Sequence, residues 1–204
     1  TFLWEDFIRT QYESLLPMLG PVAGQRFTPP VETLRTRLRE AVGAAKSYDE
    51  RIAALNAFKD REIYYIDLDH ILDPAGGFEA FSAHLSVLAE AIIDEALRCI
   101  HEHLTARFGT PLTVGGLPVR SVAFGLGKFG GAALGYASDI ELLLVYGDSG
   151  TTSGPERIGN AEYYGRVVRE LLSFVKAKRE GIFSIDLRLR PHGGDGPLAT
   201  SLES

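Results

Sequence analysis

Three acidic side chains stand at spacings that could do chemistry. Asp139 and Glu141 are two apart around the apolar run Ile140–Tyr146, and on a strand residues two apart point to the same side. Asp186 lies in FSIDLRLR, where Ser184, Asp186, Arg188 and Arg190 alternate with Phe183, Ile185, Leu187 and Leu189, the period of a strand with one polar face. Two carboxylates at a strand edge can grip a hard divalent cation such as Mg²⁺, which takes oxygen ligands and leaves room for substrate phosphates. Asp186 is the candidate third carboxylate, and the guanidinium forks of Arg188 and Arg190 suit phosphate oxygens. A plainer reading stays open on the residues alone. Asp139 and Glu141 could be solvated strand-edge charges, and Asp186 with its arginines a surface ladder of ion pairs contributing little stability.

Upstream lies the glycine-rich segment Gly125-Leu126-Gly127-Lys128-Phe129-Gly130-Gly131, seven residues before Ser138-Asp139-Ile140-Glu141. Gly125, Gly127 and Gly130 satisfy G-x-G-x-x-G, but that dinucleotide pattern needs a helix and a parallel strand, a crossover of about 10–12 residues or more. Only Ala132 to Ala137 separate Gly131 from Ser138, so the crossover does not fit. The phosphate loop of P-loop enzymes fails as well, because Phe129 follows Lys128 where Ser or Thr is required. A tight glycine turn beside two carboxylates, suited to metal–triphosphate chemistry, is the remaining functional reading.

The elements that must position these residues follow from periodicity. Residues 1–19 read as an amphipathic helix and 20–30 as a Pro/Gly-rich linker. Arg35, Arg37 and Arg39 with Glu32 and Glu40 form a charged helix face. Ser47 and Glu50 make a capping box for a helix running to about Tyr65. Leu85 through Leu104 keep a 3.6-residue stripe that Gly109 and Pro111 close, with His101 and His103 on its exposed flank. Val119–Gly125 and Ile140–Tyr146 read as buried strands. Asn160 is the expected N-cap of a helix carrying Tyr163, Tyr164, Val167, Val168, Leu171 and Leu172, with Lys176, Lys178 and Arg179 near its negative pole. Residues 183–190 form the alternating strand.

Composition narrows the class. The 204 residues are 45% hydrophobic and 24% charged, the globular average, which excludes a disordered tail. A net charge of −6 and a pI near 5.4 argue against a protein held to nucleic acid mainly by phosphate contacts. The single Cys99 cannot form an internal disulfide, no Cys/His cluster has zinc spacing, and no apolar run approaches the ~18 residues of a membrane span. A reducing, cytoplasmic setting is expected. The sequence begins with Thr1 and ends at Ser204, and is expected to be a piece of something longer.

Several segments together resemble one family, the glutamine synthetase adenylyltransferases. Gly125–Gly131 resembles the family's G-x-G-K-x-G-G turn, LGYASDIELLLVY (134–146) its S-D-x-D-L strand, and IDLRLRPHGGDGPL (185–198) its D-x-R-L-R-P-x-G-x-x-G block. FKDREIYYIDLDHIL (58–72) and HLSVLAEAIIDEAL (84–97) resemble its preceding helices. The resemblance implies an α+β chain in which a helical amino-terminal region, 1–112, packs on a polymerase-β-like mixed-sheet nucleotidyltransferase core, 113–204, with more chain past the carboxyl end. It implies transfer of AMP from ATP to a tyrosine of glutamine synthetase, or its removal by phosphorolysis. Mg²⁺ would be held by Asp139, Glu141 and Asp186, the last also serving as base. Gly127, Lys128, Gly130, Gly131, Ser138, Arg188 and Arg190 would lie along the nucleotide. Glutamine synthetase is the implied partner, with a PII-type signal protein as a further one.

Two positions depart from the family pattern: Glu141 stands where Asp is usual, and Ala133 replaces the Glu of the G-G-x-E turn. They allow a second expectation, a weakly active or inactive module that binds nucleotide or protein as a regulatory scaffold. Direction stays open, since Asn160–Tyr164 and Gly196-Pro197 look like the deadenylylating module, whereas Leu134-Gly135-Tyr136 looks like the adenylylating one.

Overall fold

A computed structural model describes residues 26–72, 77–135, 138–177, 183–188 and 197–202. The expected helix over 1–19 lies outside these residues. Residues 26–30 are irregular, and Asp69 ties them down by accepting the backbone N–H groups of Phe27 (2.8 Å) and Thr28 (2.9 Å).

Three helices come first. In α1 (Val31–Gly43) Leu34, Leu38 and Val42 recur every four residues and form its buried stripe, while the arginines and glutamates stand outward. The capping box starts α2 (Tyr48–Leu72): Ser47 Oγ accepts the Glu50 N–H (3.1 Å), and the Glu50 carboxylate accepts the Lys46 N–H (2.7 Å). This helix runs seven residues past the expected end, because Ile63, Tyr64, Ile66 and Leu68 are all buried and no Gly or Pro interrupts them before residue 74. The long α3 (Gly77–Phe108) packs against α1 and α2 and ends where Gly109 takes φ +77, the left-handed C-cap that glycine adopts without penalty. Among the described residues, no helix is long and apolar enough to cross a membrane.

The sheet follows. Strand β1 (Pro111–Thr113) pairs antiparallel with β4 (Gly150–Thr152) in a separate ribbon. In the main sheet β2 (Ser121–Gly125) runs antiparallel to β3 (Ile140–Tyr146), confirming that no parallel crossover surrounds the glycine turn. On its other edge β3 pairs parallel with β5 (Ile185–Asp186) at one end and with β6 (Thr200–Ser201) at the other. The four-residue turn α4 (Gly127–Gly130) joins β2 toward β3, and α5 (Asn160–Phe174) packs on α3. Helices and sheet share one hydrophobic cluster reaching from Leu34 to Ala199.

Four local expectations need correction. Strand β2 is not buried: Val122 is 54% and Phe124 49% exposed, because no helix among the described residues covers their face of the sheet. Asn160 does not cap α5 with its side chain; Gly159 is the N-cap, and the Asn160 amide donates to the Leu112 and Asp148 carbonyls (both 3.0 Å), tying the helix start to the ribbon. His101 is not on an exposed flank, since its Nδ1 lies 3.3 Å from the Tyr163 hydroxyl and its ring stacks on Tyr163. Among its described residues the alternating run is regular strand only at Ile185–Asp186, since Phe183 at φ +59 breaks the extended backbone. Its inward positions are still right, as Phe183 and Leu187 are buried. Leu189, Arg190, Lys178 and Arg179 lie outside the described residues.

Candidate active site

Along β3, Ile140, Leu142, Leu144 and Tyr146 are buried beneath the helices, so Glu141, Leu143 and Val145 face the other way. Cross-strand partners share a face, and Val122 pairs with Val145 and Phe124 with Leu143. Glu141 is the register partner of Asp186 on the adjacent parallel strand. Two of the expected carboxylates therefore stand side by side on the open face of the sheet, and Asp139 immediately precedes the same strand. The Ile140 N–H donates to the Ser184 carbonyl (2.7 Å), fixing that register just where the acids meet.

Arg188 closes this cluster. Its Nη2 lies 2.6 Å from one Asp186 oxygen and 3.8 Å from Asp139 Oδ2, and its backbone N–H donates to Asp186 Oδ1 (2.8 Å). The Asp186 hydrogen bond and charge, and then the Asp139 and Glu141 charges, push the guanidinium pKa up. Two of the carboxylates, Asp186 and Asp139, thus pair with one cation. Asp186 is 12% exposed, against 79% for Arg188. Asp186 is the sheltered member of the pair. Among the described residues, no three His, Cys, Asp or Glu side chains are gathered closely enough to hold one metal ion; the guanidinium stands between them.

The glycine turn abuts the same carboxylates. A methyl group at Gly127 would overlap the Glu141 carboxylate, and at Gly130 it would run into the Gly125 carbonyl. Gly127 also has φ +52, so glycine is required there twice over. The Leu126 N–H donates to the Glu141 carbonyl (2.9 Å), stitching turn to strand. Lys128, Gly130 and Gly131 are exposed. Buried Ser138 closes a small turn, its Oγ accepting the Gly135 N–H (3.0 Å). The structure thus assembles Gly127, Asp139, Glu141, Asp186 and Arg188. Lys128, Gly130 and Gly131 follow Gly127 on the exposed part of the turn. Arg190 lies outside the described residues.

Two contacts were not legible beforehand. The Gly127–Glu141 contact joins residues 14 apart, and the Arg188 clasp depends on a side-chain rotamer. The i, i+2 spacing puts Asp186 and Arg188 on one side of the strand without specifying that they pair. Further support comes from α2: the Asn56 amide donates to the Phe174 carbonyl (2.7 Å), its oxygen accepts the Lys176 N–H (2.9 Å), and buried Lys59 donates to the Lys176 carbonyl. These bonds anchor the end of the stretch after α5, from which the chain continues toward β5.

A family model described as glutamate-ammonia ligase adenylyltransferase matches residues 8–204. The chain belongs to this family. Among its relatives, a bifunctional glutamine synthetase adenylyltransferase/adenylyl-removing enzyme of Nitrosococcus oceani is 36% identical over 159 residues, 76% of this chain and 16% of the relative. Proteins of the same name from Bordetella pertussis and Thioalkalivibrio sulfidiphilus are 44% and 32% identical, covering 59% and 84% of this chain and 13% and 18% of the relatives. The chain therefore spans less than a fifth of the length of these relatives.

Proposed function

We propose that this chain is part of a nucleotidyltransferase with a polymerase-β-type core, which moves AMP between ATP and a tyrosine of glutamine synthetase or removes it by phosphorolysis. The observation that carries the reading is the side-by-side register of Glu141 and Asp186 on parallel strands, with Asp139 at the strand entry and a glycine turn against them. The donor chemistry suits Mg²⁺, since three carboxylates supply hard oxygen ligands, but with Arg188 paired to Asp186 and Asp139 they are not close enough to share one ion and would have to close on it once Arg188 leaves. Asp139, Glu141 and Asp186 would hold the metal, which supplies charge neutralisation at the phosphates and Lewis acidity.

Phosphoryl-type transfer asks for positioning and charge more than for covalent help. Asp186, the most sheltered of the acids measured against Arg188, would orient the tyrosine hydroxyl and accept its proton. Lys128 on the exposed turn would meet the phosphates. Arg188 would leave the carboxylates and turn its fork to phosphate oxygens as nucleotide enters. In the removing direction the same groups would position AMP-tyrosine against inorganic phosphate.

The Arg188 clasp, together with Glu141 and Ala133, favours one competing reading, a module that binds nucleotide or protein without transfer. Labelled ATP, Mg²⁺ and glutamine synthetase, and separately the adenylylated synthetase with phosphate, distinguish the two. Incorporation or release that disappears in Asp139→Ala supports transfer. Either activity persisting in Asp139→Ala rejects the assigned site, and Mg²⁺-dependent ATP binding with neither activity supports the scaffold.

A further inference from the structure

Far from the carboxylates, the last turns of α3 and the outer face of α5 enclose a groove of about 480 Å³ lined by His103, Arg107, Phe108, Arg166, Arg169 and Glu170, among others. This volume is within the range of small-molecule sites. Ile93 and Asp94 flank the glycine turn; the groove residues come ten to fifteen positions further along α3, roughly 15–22 Å at the helical rise.

The groove is built for negative charge. Phe108 is buried and forms its floor, with the guanidiniums of Arg107 and Arg166 lying 4.9 and 4.7 Å from its ring centroid. Stacking of this kind holds a guanidinium plane in place while leaving edge N–H groups available. The acids that pair with these arginines, Glu156 with Arg107 (2.9 Å) and Glu162 with Arg166 (2.7 Å), are not among the lining residues, so they brace the forks from outside. The one lining acid, Glu170, accepts a hydrogen bond from the Tyr48 hydroxyl (3.0 Å). His103, stacked on Tyr48 at 4.0 Å, lines the same wall. Arg169 is exposed and has no ion pair among the described residues. A chain of net charge −6 here presents three arginines and a histidine to one cavity.

We infer that this groove binds a small phosphorylated anion, at a site separate from the carboxylate cluster. The Arg169 fork, with the N–H groups of Arg107 and Arg166 not taken by Glu156 and Glu162, matches the oxygens of phosphate groups, and a cavity of this size admits a diphosphate-bearing molecule rather than a protein surface. The inference does not rest on the proposed transfer reaction.

Inorganic pyrophosphate is the probe, titrated into the full chain in the presence of EDTA so that metal–phosphate binding at the carboxylates is suppressed. Amide shifts in a ¹H–¹⁵N spectrum are expected at residues 103–108 and 166–170, with saturable binding. Affinity should fall about ten-fold or more in Arg169→Ala and be partly recovered in Arg169→Lys, whereas Lys128→Ala should bind like the parent. Arg169 is exposed, so these variants should fold, which the dispersion of the same spectra checks. Unchanged affinity in Arg169→Ala, shifts confined to residues 125–131, or binding of an acidic peptide with none of pyrophosphate would each overturn the inference. Failure of AMP transfer would leave these shifts untouched, so the two readings fail separately.

Discussion

Gly127 carries two constraints at once: its backbone is left-handed, and its Cα lies against the Glu141 carboxylate. The backbone alone makes Gly127→Ala unfavourable by ~1–2 kcal/mol, and the added methyl must also displace the Glu141 carboxylate. Gly43, at the end of α1, has open space around its Cα and no left-handed φ, so Gly43→Ala should stabilise by ~0.4–1 kcal/mol. Urea denaturation of the two variants should therefore give shifts of opposite sign, and only Gly127→Ala should impair the proposed nucleotide transfer. At this scale the side of the sheet that Glu141 and Asp186 share was legible, because both fall on alternating patterns that dictate their side of a strand. What each touches was not. Whether Arg188 reaches toward phosphate or folds back onto Asp186 is decided by a rotamer, which no spacing encodes.

Between elements, α3 and α5 are joined by a small polar network inside an apolar seam. The Tyr163 hydroxyl lies 3.1 Å from Thr105 Oγ1 and 3.3 Å from His101 Nδ1, and Tyr163 meets Tyr164 edge-on. Burial lowers the His101 pKa from its usual 6.5. The unfolded chain therefore takes up a proton near pH 6.5 that the folded chain resists, and the imidazole's contribution is present above that pH and lost as pH falls toward the folded value. Urea midpoints measured at about pH 7.5 and pH 5.5 should fall further for the parent than for His101→Gln; equal losses would mean that His101 is not held neutral. The periods of α3 and β3 were readable because long runs of one period leave little choice. The ends were less so. The far end of α2 depends on tertiary burial of Ile66 and Leu68, and Phe183 ends the apparent strand through a left-handed backbone that alternation cannot reveal.

For the molecule as a whole, the question is whether the helical portion and the sheet are separate units or one. The buried cluster runs without a break from α1 through α3 to β3 and α5, so the helices, which pack mainly on one another, also share their core with the sheet. Ile92 on α3 and Ile140 on β3 are both fully buried in it. Ile92→Val and Ile140→Val should each lower stability by ~0.5–1.5 kcal/mol. More tellingly, either change should move the midpoint recorded by helical far-ultraviolet dichroism and the one recorded by near-ultraviolet signals, to which Tyr146, Tyr163 and Tyr164 contribute, by the same amount. Coincident transitions are the mark of one cooperative unit. If Ile92→Val shifted only the helical signal and Ile140→Val only the tyrosine signal, the two parts would own separate cores. The carboxylates on the open sheet face could then be positioned without the helices behind them.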